Sequence, residues 1–204
     1  MKTTLVTIFA LAGSAFGQST YTIDPSHSSA QFSVRHMMIS NVKGEFTAVS
    51  GSFAWDPRNP AASKIDAVID IGTVNTREPK RDAHLKSPDF FDVAKFPNLT
   101  FKSHEIRKVG GKLQAKGDLT MHGVTRPVVL DISGPTAETK DPWGFQRVGA
   151  TATTILNRKD WGLVWNQALE SGGVLVGDEV TITLDIEATR NAPAPASVAR
   201  PSIR

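Results

Sequence analysis

The sequence predicts an all-β protein, an antiparallel barrel of about eight strands with one short helix. Apolar and polar residues alternate along most of the chain, as in 180–188, which reads Val-Thr-Ile-Thr-Leu-Asp-Ile-Glu-Ala. A period of two gives each strand one apolar and one polar face. Because only one short segment carries helix signals, the strands must cover one another, either as two packed sheets or as a closed barrel. A barrel of about eight strands leaves an interior just large enough for one small ligand.

The first third of the chain predicts three strands. They cover 20–36, with an interruption at Asp24-Pro25-Ser26, then 42–55 and 65–71. Gly44 and Gly51 lie inside the second of these strands. Glycines within strands typically mark bulges or the bends that a barrel needs at its corners.

A short helix and the remaining strands follow. Residues 77–87 break the alternation; Pro79 favours a helix start, and Ser87-Pro88 predicts its end because the residue before a proline disfavours helix. Gly110-Gly111 and His122-Gly123 predict tight two-residue hairpin turns. The other predicted strands are 98–108, 112–121, 125–132, 144–156 and 177–190.

The length of these strands bears on function. About 12 residues at about 3.3 Å each reach roughly 40 Å, which exceeds the usual strand length. A barrel of such strands encloses an elongated slot, which favours a long chain-like ligand over a compact polar metabolite.

Residues 1–17 are typical of an export signal. Lys2 provides a positive start, an apolar stretch runs from Leu5 to Phe16, and small residues allow cleavage between Gly17 and Gln18. The apolar stretch is shorter than the about 20 residues of a membrane-spanning helix, and no second one follows. No cysteine follows the cleavage point, which argues against a lipid-anchored form. We therefore expect a periplasmic or secreted protein without a stable membrane anchor.

The remaining sequence predicts one domain, 18–190, followed by a flexible Ala/Pro-rich tail, 191–204. Loss of Lys2 with the signal lowers the formal net charge from +3 to +2. The basic residues are scattered rather than clustered, so a nucleic-acid partner is not expected. The absence of cysteine excludes disulfides, and stability must come from a single core.

Catalytic and metal-binding signatures are absent from the sequence. It contains no Gly-x-Ser-x-Gly elbow and no phosphate-binding glycine loop. The five histidines, His27, His36, His84, His104 and His122, have no metal-ligand spacing. These observations predict a protein that is not an enzyme and that holds neither a metal nor a cofactor.

Several motifs together resemble the YceI-like family of bacterial exported lipid-binding proteins. The first are Phe-Ser-Val-Arg-His-Met-Met and Val-Lys-Gly-Glu-Phe, followed by Arg-Asp-Ala-His-Leu-Lys-Ser-Pro-Asp-Phe-Phe and Lys-Phe-Pro-Asn-Leu-Thr-Phe. Next come a long segment from Gly-Asp-Leu-Thr-Met-His-Gly to Thr-Arg-Pro-Val, then Asp-Pro-Trp-Gly and Asn-Arg-Lys-Asp-Trp-Gly. They lie, in this order, at 32–38, 42–46, 81–91, 95–101, 117–128, 141–144 and 157–162. The resemblance spans roughly residues 20–190.

The resemblance implies an extended lipocalin-like antiparallel barrel whose lumen holds a polyisoprenoid or a similar amphiphile, quinone-like or a prenyl phosphate. The family is not known as a set of enzymes. Because closure removes free sheet edges, a homodimer, which the sequence leaves open, would form through a face or loop contact.

Apolar side chains on one face of the strands are candidates to line the lumen, although ordinary core packing gives the same pattern. Two tryptophans are candidates to stack beside a ligand head group or to be buried structurally, and one histidine shares the parity of the apolar face. Met37 and Met38 either lie at a mouth of the barrel or fill a gap in the packing. The candidate ligand-binding residues are Phe32, Val34, His36, Phe46, Phe53, Ile69, Phe101, Leu119, Met121, Trp161, Trp165, Ile182 and Leu184.

A ligand with a phosphate head would require cations, and arginine binds phosphate in a bidentate manner. The head-group candidates are Arg81, His84, Arg147 and Arg158. For Arg81 the sequence also predicts a structural pair with Asp82 that anchors the short helix. Surface pairing is the alternative role for each of the arginines.

Three functions remain open on the sequence. The leading hypothesis is an exported carrier that sequesters or transports a long-chain amphiphile. The second is a metal-dependent enzyme that acts on a bound lipid through a lumen His or Arg. The third is a stress-linked periplasmic interaction protein with a filled barrel and no stable ligand.

Overall fold

The computed structural model describes residues 18–170 and 172–192, so the predicted signal, 1–17, and most of the predicted tail lie outside the described residues. Twelve strands belong to one antiparallel sheet. They are β1 (Ser19–Ile23), β2 (Ser29–His36), β3 (Ser40–Phe46), β4 (Val49–Trp55), β5 (Lys64–Asp70), β6 (Val74–Asn75), β7 (Asn98–Val109), β8 (Lys112–Met121), β9 (Val124–Ser133), β10 (Thr139–Lys140), β11 (Gln146–Asn157) and β12 (Val176–Arg190). Helix α1 spans Pro79–Lys86.

The sheet closes into a barrel because β11 pairs with both β9 and β12. Around the barrel the order is β12, β1 with β2, β3 with β4, β5, β7, β8, β9 and β11. Since β1 and β2 form one broken strand, as do β3 and β4, the barrel has eight strands. The predicted all-β barrel with one short helix is confirmed.

Two predicted strands are broken where the barrel wall bends. The strand predicted at 20–36 is interrupted by a short 3₁₀ turn at Pro25–His27, where the Asp24 carboxylate accepts a hydrogen bond from the Ser26 amide. The strand predicted at 42–55 is interrupted between Phe46 and Val49. The uninterrupted β12 pairs with β2 through its first part and with β1 through its last.

The helix prediction, 77–87, is confirmed at Pro79–Lys86. Glu78 caps the helix by accepting a bond from the Lys80 amide. The expected Arg81–Asp82 pair takes a different form, because both side chains bind Thr76. The Arg81 Nε donates to Thr76 Oγ1 at 2.8 Å, and Asp82 Oδ1 accepts from the Thr76 amide at 2.8 Å and from its hydroxyl. No helix within the described ranges has the length and apolar character needed to cross a membrane.

The two ends of the barrel are built differently. The α1 end is covered by the helix and by the segment after β11, where the Trp165 ring contacts the rings of His84 (centroids 4.8 Å apart) and Phe90 (5.3 Å). The opposite end, called the far end below, is closed by a buried layer. There Tyr21 stacks on Phe53 with ring centroids 4.9 Å apart. The other buried members of this layer are Val148 and Ala188.

Candidate functional site

The barrel lumen encloses a cavity of about 260 Å³. Its wall is formed by inward-facing side chains of the barrel strands, together with residues of α1 and of the loops that follow α1 and β11. A dry apolar cavity of about 150 Å³ is enough to bind a molecule such as benzene, and ligand sites commonly begin near about 300 Å³. The lumen therefore has room for an apolar group.

The chemistry of the wall is almost entirely apolar. Among the described residues that line it, only Gln31, Thr154 and Arg158 carry polar or charged side chains. Transfer of a polar group into such surroundings without a hydrogen-bond partner costs several kcal/mol, about 2–7 depending on the reference state. The lumen consequently favours a hydrocarbon and disfavours a polar metabolite.

The lumen is hollow because of the small side chains of β11. Ala150, Ala152 and Thr154 point inward from this strand, and Ala67 does so from β5. Large residues such as Phe53 and Leu119 face inward from other strands and yet are only partly buried. In a closed barrel, this partial exposure of inward side chains indicates unfilled space.

Ten of the candidates chosen for ligand binding lie in the cavity wall. They are Phe32, Val34, Phe46, Phe53, Ile69, Phe101, Leu119, Met121, Ile182 and Leu184. Their common position follows from strand parity, because alternate residues of a strand share a face. Direct contact of each with a ligand stays a prediction.

The other three candidates lie elsewhere at the α1 end. His36 is the last residue of β2, opposite Ser40 and Val176. Trp161 is buried, and its indole Nε1 donates to the Leu119 carbonyl at 3.1 Å. The ring is therefore bound to β8 and does not line the cavity. Trp165 packs on His84 and Phe90, as described above.

Arg158 lies in the cavity wall, but its guanidinium donates hydrogen bonds to backbone carbonyls. Nε donates to the Gly177 carbonyl at 2.9 Å, and Nη1 donates to the carbonyls of Leu163 and Trp165. Nη2 lies 3.4 Å from the Val176 carbonyl and 3.5 Å from an Asp178 carboxylate oxygen. Burial lowers the pKa of this guanidinium. Because its N–H groups are directed at protein acceptors, Arg158 holds together the loop after β11 and the start of β12. It has no free pair of donors for bidentate binding of a phosphate.

Arg147 lies at the far end and is held by three carboxylates. It donates to Asp141 at 2.7 Å and to Asp24 and Glu187 at 2.6 Å each. Hydrogen bonds from Ser26, Arg147 and His27 hold the pKa of Asp24 far below its ordinary value. The oxygen and nitrogen ligands of Asp24, His27 and Glu187 lie within 4.8 Å of one another, a spacing suited to a metal ion, but the Arg147 guanidinium already supplies a cation there.

The two remaining head-group candidates belong to the helix. Arg81 binds Thr76 through the bond described above and through a second from Nη2 to the Thr76 carbonyl at 2.9 Å. His84 lies 3.0 Å from Asp89 through Nε2. These contacts hold α1 on the barrel.

Sequence reasoning missed several residues of the wall. Leu85, Phe90 and Phe91 come from α1 and the loop after it, and Leu163 comes from the loop after β11. No period of two exists in these segments, so strand parity could not assign them. Ala150 and Ala152, in contrast, share a parity within a predicted strand and could have been found by asking which inward residues are small.

Comparison with known proteins decides the family. The YceI-like domain matches residues 21–188 of this chain. The chain belongs to the YceI-like family. A UPF0312 protein of Vibrio cholerae serotype O1 is 42% identical to this YceI-like chain over 146 residues, which cover 70% of this chain and 77% of the relative.

Two solved structures share the fold of this YceI-like chain. The Campylobacter jejuni YceI protein matches with a TM-score of 0.64 and 30% identity, covering 78% of this chain and 90% of that protein. A polyisoprenoid binding domain from Saccharophagus degradans, implicated in plant cell wall breakdown, matches with a TM-score of 0.60 over 84% of this chain and 98% of that domain. At 16% identity, this second likeness concerns the fold alone. The predicted family and its barrel are confirmed.

Proposed function

We propose that this YceI-like protein binds a long-chain lipid, such as a polyisoprenoid, inside the barrel and carries or sequesters it without chemical change. The observation that supports this most strongly is the hollow, almost wholly apolar lumen of about 260 Å³. The polyisoprenoid binding domain of Saccharophagus degradans, which has the same fold, favours this ligand class.

The length of the lumen suits an extended chain. Strand β11 pairs with β12 continuously from Arg147 to Asn157, which corresponds to roughly 35 Å of wall at about 3.3 Å per residue. Along β11 the lining residues run from Ala150 to Leu156, which is about 20 Å at about 3.3 Å per residue, and Leu163 extends the wall at the α1 end. An extended isoprenoid tail would contact apolar side chains along its length.

The expected energetics allow both capture and release. Burial of roughly 400 Å² of apolar chain at about 25 cal/mol/Å² contributes about 10 kcal/mol. Lost translational, rotational and chain freedom costs at least about 4 kcal/mol. The difference, about 6 kcal/mol at most, is favourable and still small enough for the lipid to be passed on.

The lumen also favours binding over the two alternative functions. Within the described residues, the wall contains no His, Asp, Glu, Lys, Ser or Cys, the residues that most often act as acids, bases or nucleophiles. A filled-barrel interaction protein would have large side chains packed throughout the interior, whereas small residues leave this one open.

We further propose that the protein is exported to the periplasm or secreted. The sequence of residues 1–17 supports this. N-terminal mass analysis of the protein from a periplasmic fraction tests it, with a mature chain beginning at Gln18 as the expected result. Retention of Met1 and the Leu5–Phe16 stretch in the fractionated protein would contradict export.

Native mass spectrometry of protein purified without detergent, followed by organic extraction, tests the ligand. Two adjacent threonines offer a matched pair of variants, because Thr154 lines the lumen whereas Thr153 is exposed on the outer face of β11. We expect Thr154→Phe to fill the lumen and lower the bound lipid at least tenfold, and Thr153→Phe to leave it unchanged. Equal lipid in both variants would contradict the proposed site, and a lipid-free mass for the unaltered protein would contradict the proposed function.

A further inference from the structure

The turn between β2 and β3 exposes three consecutive large apolar side chains. Met37, Met38 and Ile39 are 42%, 53% and 74% exposed. Val164, in the loop after β11, is 62% exposed. These four residues are called the tip surface below.

Hydrogen bonds hold the turn against the loop that follows β11 and fix the backbone around Val164. The Met37 amide donates to the Leu175 carbonyl at 2.8 Å, and the Leu175 amide donates to the Gln167 carbonyl at 2.8 Å. Arg158 binds the carbonyls on both sides of Val164, which fixes the backbone there while Leu163 is buried and Val164 is exposed. The tip surface is therefore an ordered feature of the α1 end.

The backbone of the turn does not account for its methionines. Met37 and Met38 have φ angles of 49° and 62°, and the Ile39 amide donates to the His36 carbonyl at 3.1 Å. A turn with two left-handed central residues strongly favours Asn-Gly, and methionine is strained in that region. Strain of this kind points to a role for the side chains themselves.

Two basic residues flank the turn that carries Met37, Met38 and Ile39. Arg35 and Lys43 are the only fully charged residues in 31–44, both are exposed, and neither forms an ion pair with any residue that the structure describes. Arg35 Nη2 donates to the Met38 carbonyl at 2.8 Å, which places the cation at the turn. The charged residues in 162–179 are acidic, namely Glu170, Asp178 and Glu179, and Asp178 is paired with Arg158 and Lys159.

The tip surface is continuous with the lumen. Val34 and Val176 line the cavity directly beneath the turn. Val34, Leu156 and Val180 are inward-facing at this end and only partly buried, whereas Tyr21, Val148 and Ala188 at the far end are fully buried. The side chains that line the lumen beneath the tip surface are thus less buried than the layer that closes the far end.

We propose that the tip surface inserts into an anionic lipid bilayer and holds the α1 end of the lumen against it for exchange of lipid. Apolar side chains that enter the acyl boundary, with basic residues beside the lipid phosphates, form the usual interfacial contact. A second copy of this chain is the less suitable partner, because four side chains fall well short of the about 800 Å² per partner in a stable dimer. The role in lipid exchange rests on the proposed function, whereas the bilayer contact itself does not.

The far end provides a contrast. Trp143 and Phe145 are also exposed, at 78% and 55%, on the turn between β10 and β11. Near this turn lie the carboxylates of Asp24, Asp141 and Glu187 around Arg147, as well as Glu138. These four carboxylates outnumber the three cations of the same region, Arg147, Arg190 and Lys140, so the far end carries no excess of positive charge for an anionic membrane.

Flotation with vesicles of phosphatidylethanolamine and phosphatidylglycerol tests the proposal. The main variant combines Met37→Asn, Met38→Gly and Ile39→Ser, which removes the apolar tip and supplies the residues that the turn prefers, so that the fold is retained. The matched control combines Trp143→Ser and Phe145→Ser. We expect the unaltered protein and the control to float with the vesicles, and the tip variant to lose at least tenfold in bound fraction.

Further experiments distinguish the effects of surface charge, of the lipid in the lumen and of self-association on vesicle binding. Lys43→Gln and vesicles of phosphatidylcholine alone should each weaken binding, whereas Thr154→Phe, which fills the lumen and displaces its lipid, should leave vesicle binding intact. Equal flotation of the tip variant and the unaltered protein would overturn the proposal. So would loss of flotation in the far-end control alone, or a tip variant that changes only the oligomeric state in size-exclusion chromatography.

Discussion

Phe32 on β2 lies over Gly44, its cross-strand partner on β3. A Cβ atom on Gly44 would come within 2.8 Å of Phe32 Cε1, so the ring occupies the space of the missing side chain. Phe101 lies over Gly117 in the same manner, with a Cβ there 2.7 Å from Phe101 Cζ. Both rings consequently lie along the wall rather than across the lumen, which helps to keep the lumen open.

Replacing Gly44 by valine should push the Phe32 ring into the lumen. We expect a lower lipid content together with a loss of stability of about 1–3 kcal/mol, the usual cost of overpacking. Native mass spectrometry and urea unfolding measure the two effects. Ser50→Val, at an exposed strand position, is the control and should change neither; unchanged lipid in Gly44→Val would show that Phe32 does not border the ligand.

Replacing Arg158 by lysine should destabilise the protein despite the conserved charge. A lysine ammonium cannot reach the carbonyls of Gly177, Leu163 and Trp165 together, and each buried acceptor left unpaired costs about 1–3 kcal/mol. Urea unfolding measures the loss. Arg126→Lys, at an exposed position, should change stability by less than about 0.5 kcal/mol; a similarly small change for Arg158→Lys would argue that its guanidinium is free for another role.

Replacing Arg147 by methionine should alter the pH dependence of stability. Hydrogen bonds from Ser26 and Arg147 lower the pKa of Asp24; burial would raise the pKa of Asp141, but Arg147 and backbone amides lower it overall. Carboxyl groups with a lowered pKa stabilise the fold above their unfolded pKa of about 3.9, and this contribution is lost as the pH falls through the folded pKa. Without Arg147, the neighbouring carboxylates repel one another when they are ionised.

We therefore expect Arg147→Met to be clearly less stable than the unaltered protein at pH 7, with the difference shrinking as the pH falls below about 4. Urea midpoints measured at several pH values check this. Arg107→Met serves as the control, because Arg107 is exposed and lies 3.8 Å from a single carboxylate, Glu105. A deficit that grows toward acid would contradict the role assigned to Arg147.

Replacing Thr76 by valine should loosen α1. The Thr76 side chain is buried and its hydroxyl links Arg81 to Asp82, so the nearly isosteric valine leaves both charged groups short of a partner. We expect a loss of about 1–3 kcal/mol in unfolding free energy and faster amide exchange in 79–86. Thr47→Val, at an exposed position, should affect neither; normal exchange in Thr76→Val would show that packing alone holds the helix.

Strand parity was the productive part of the sequence reasoning. It placed Phe101, Leu119 and Ile182 on an inward face, and the structure locates all three in the cavity wall. It was less informative for charged residues, because chemical type alone did not distinguish a free arginine from one whose donors are occupied. Arg147 and Arg158 are two such occupied groups, and their partners come from segments distant in sequence.

The amino-acid sequence by itself determined the all-β barrel, its hairpin turns, the short helix and the family, because these depend on local period, turn residues and motif order. Only the tertiary structure decided which parts of the chain enclose the lumen, that β11 leaves it hollow, and that Met37 and Met38 lie exposed on a strained turn. These properties depend on how closed strands face one another. A side chain's free space and its hydrogen-bond partners are set by residues far along the chain, which no local pattern contains.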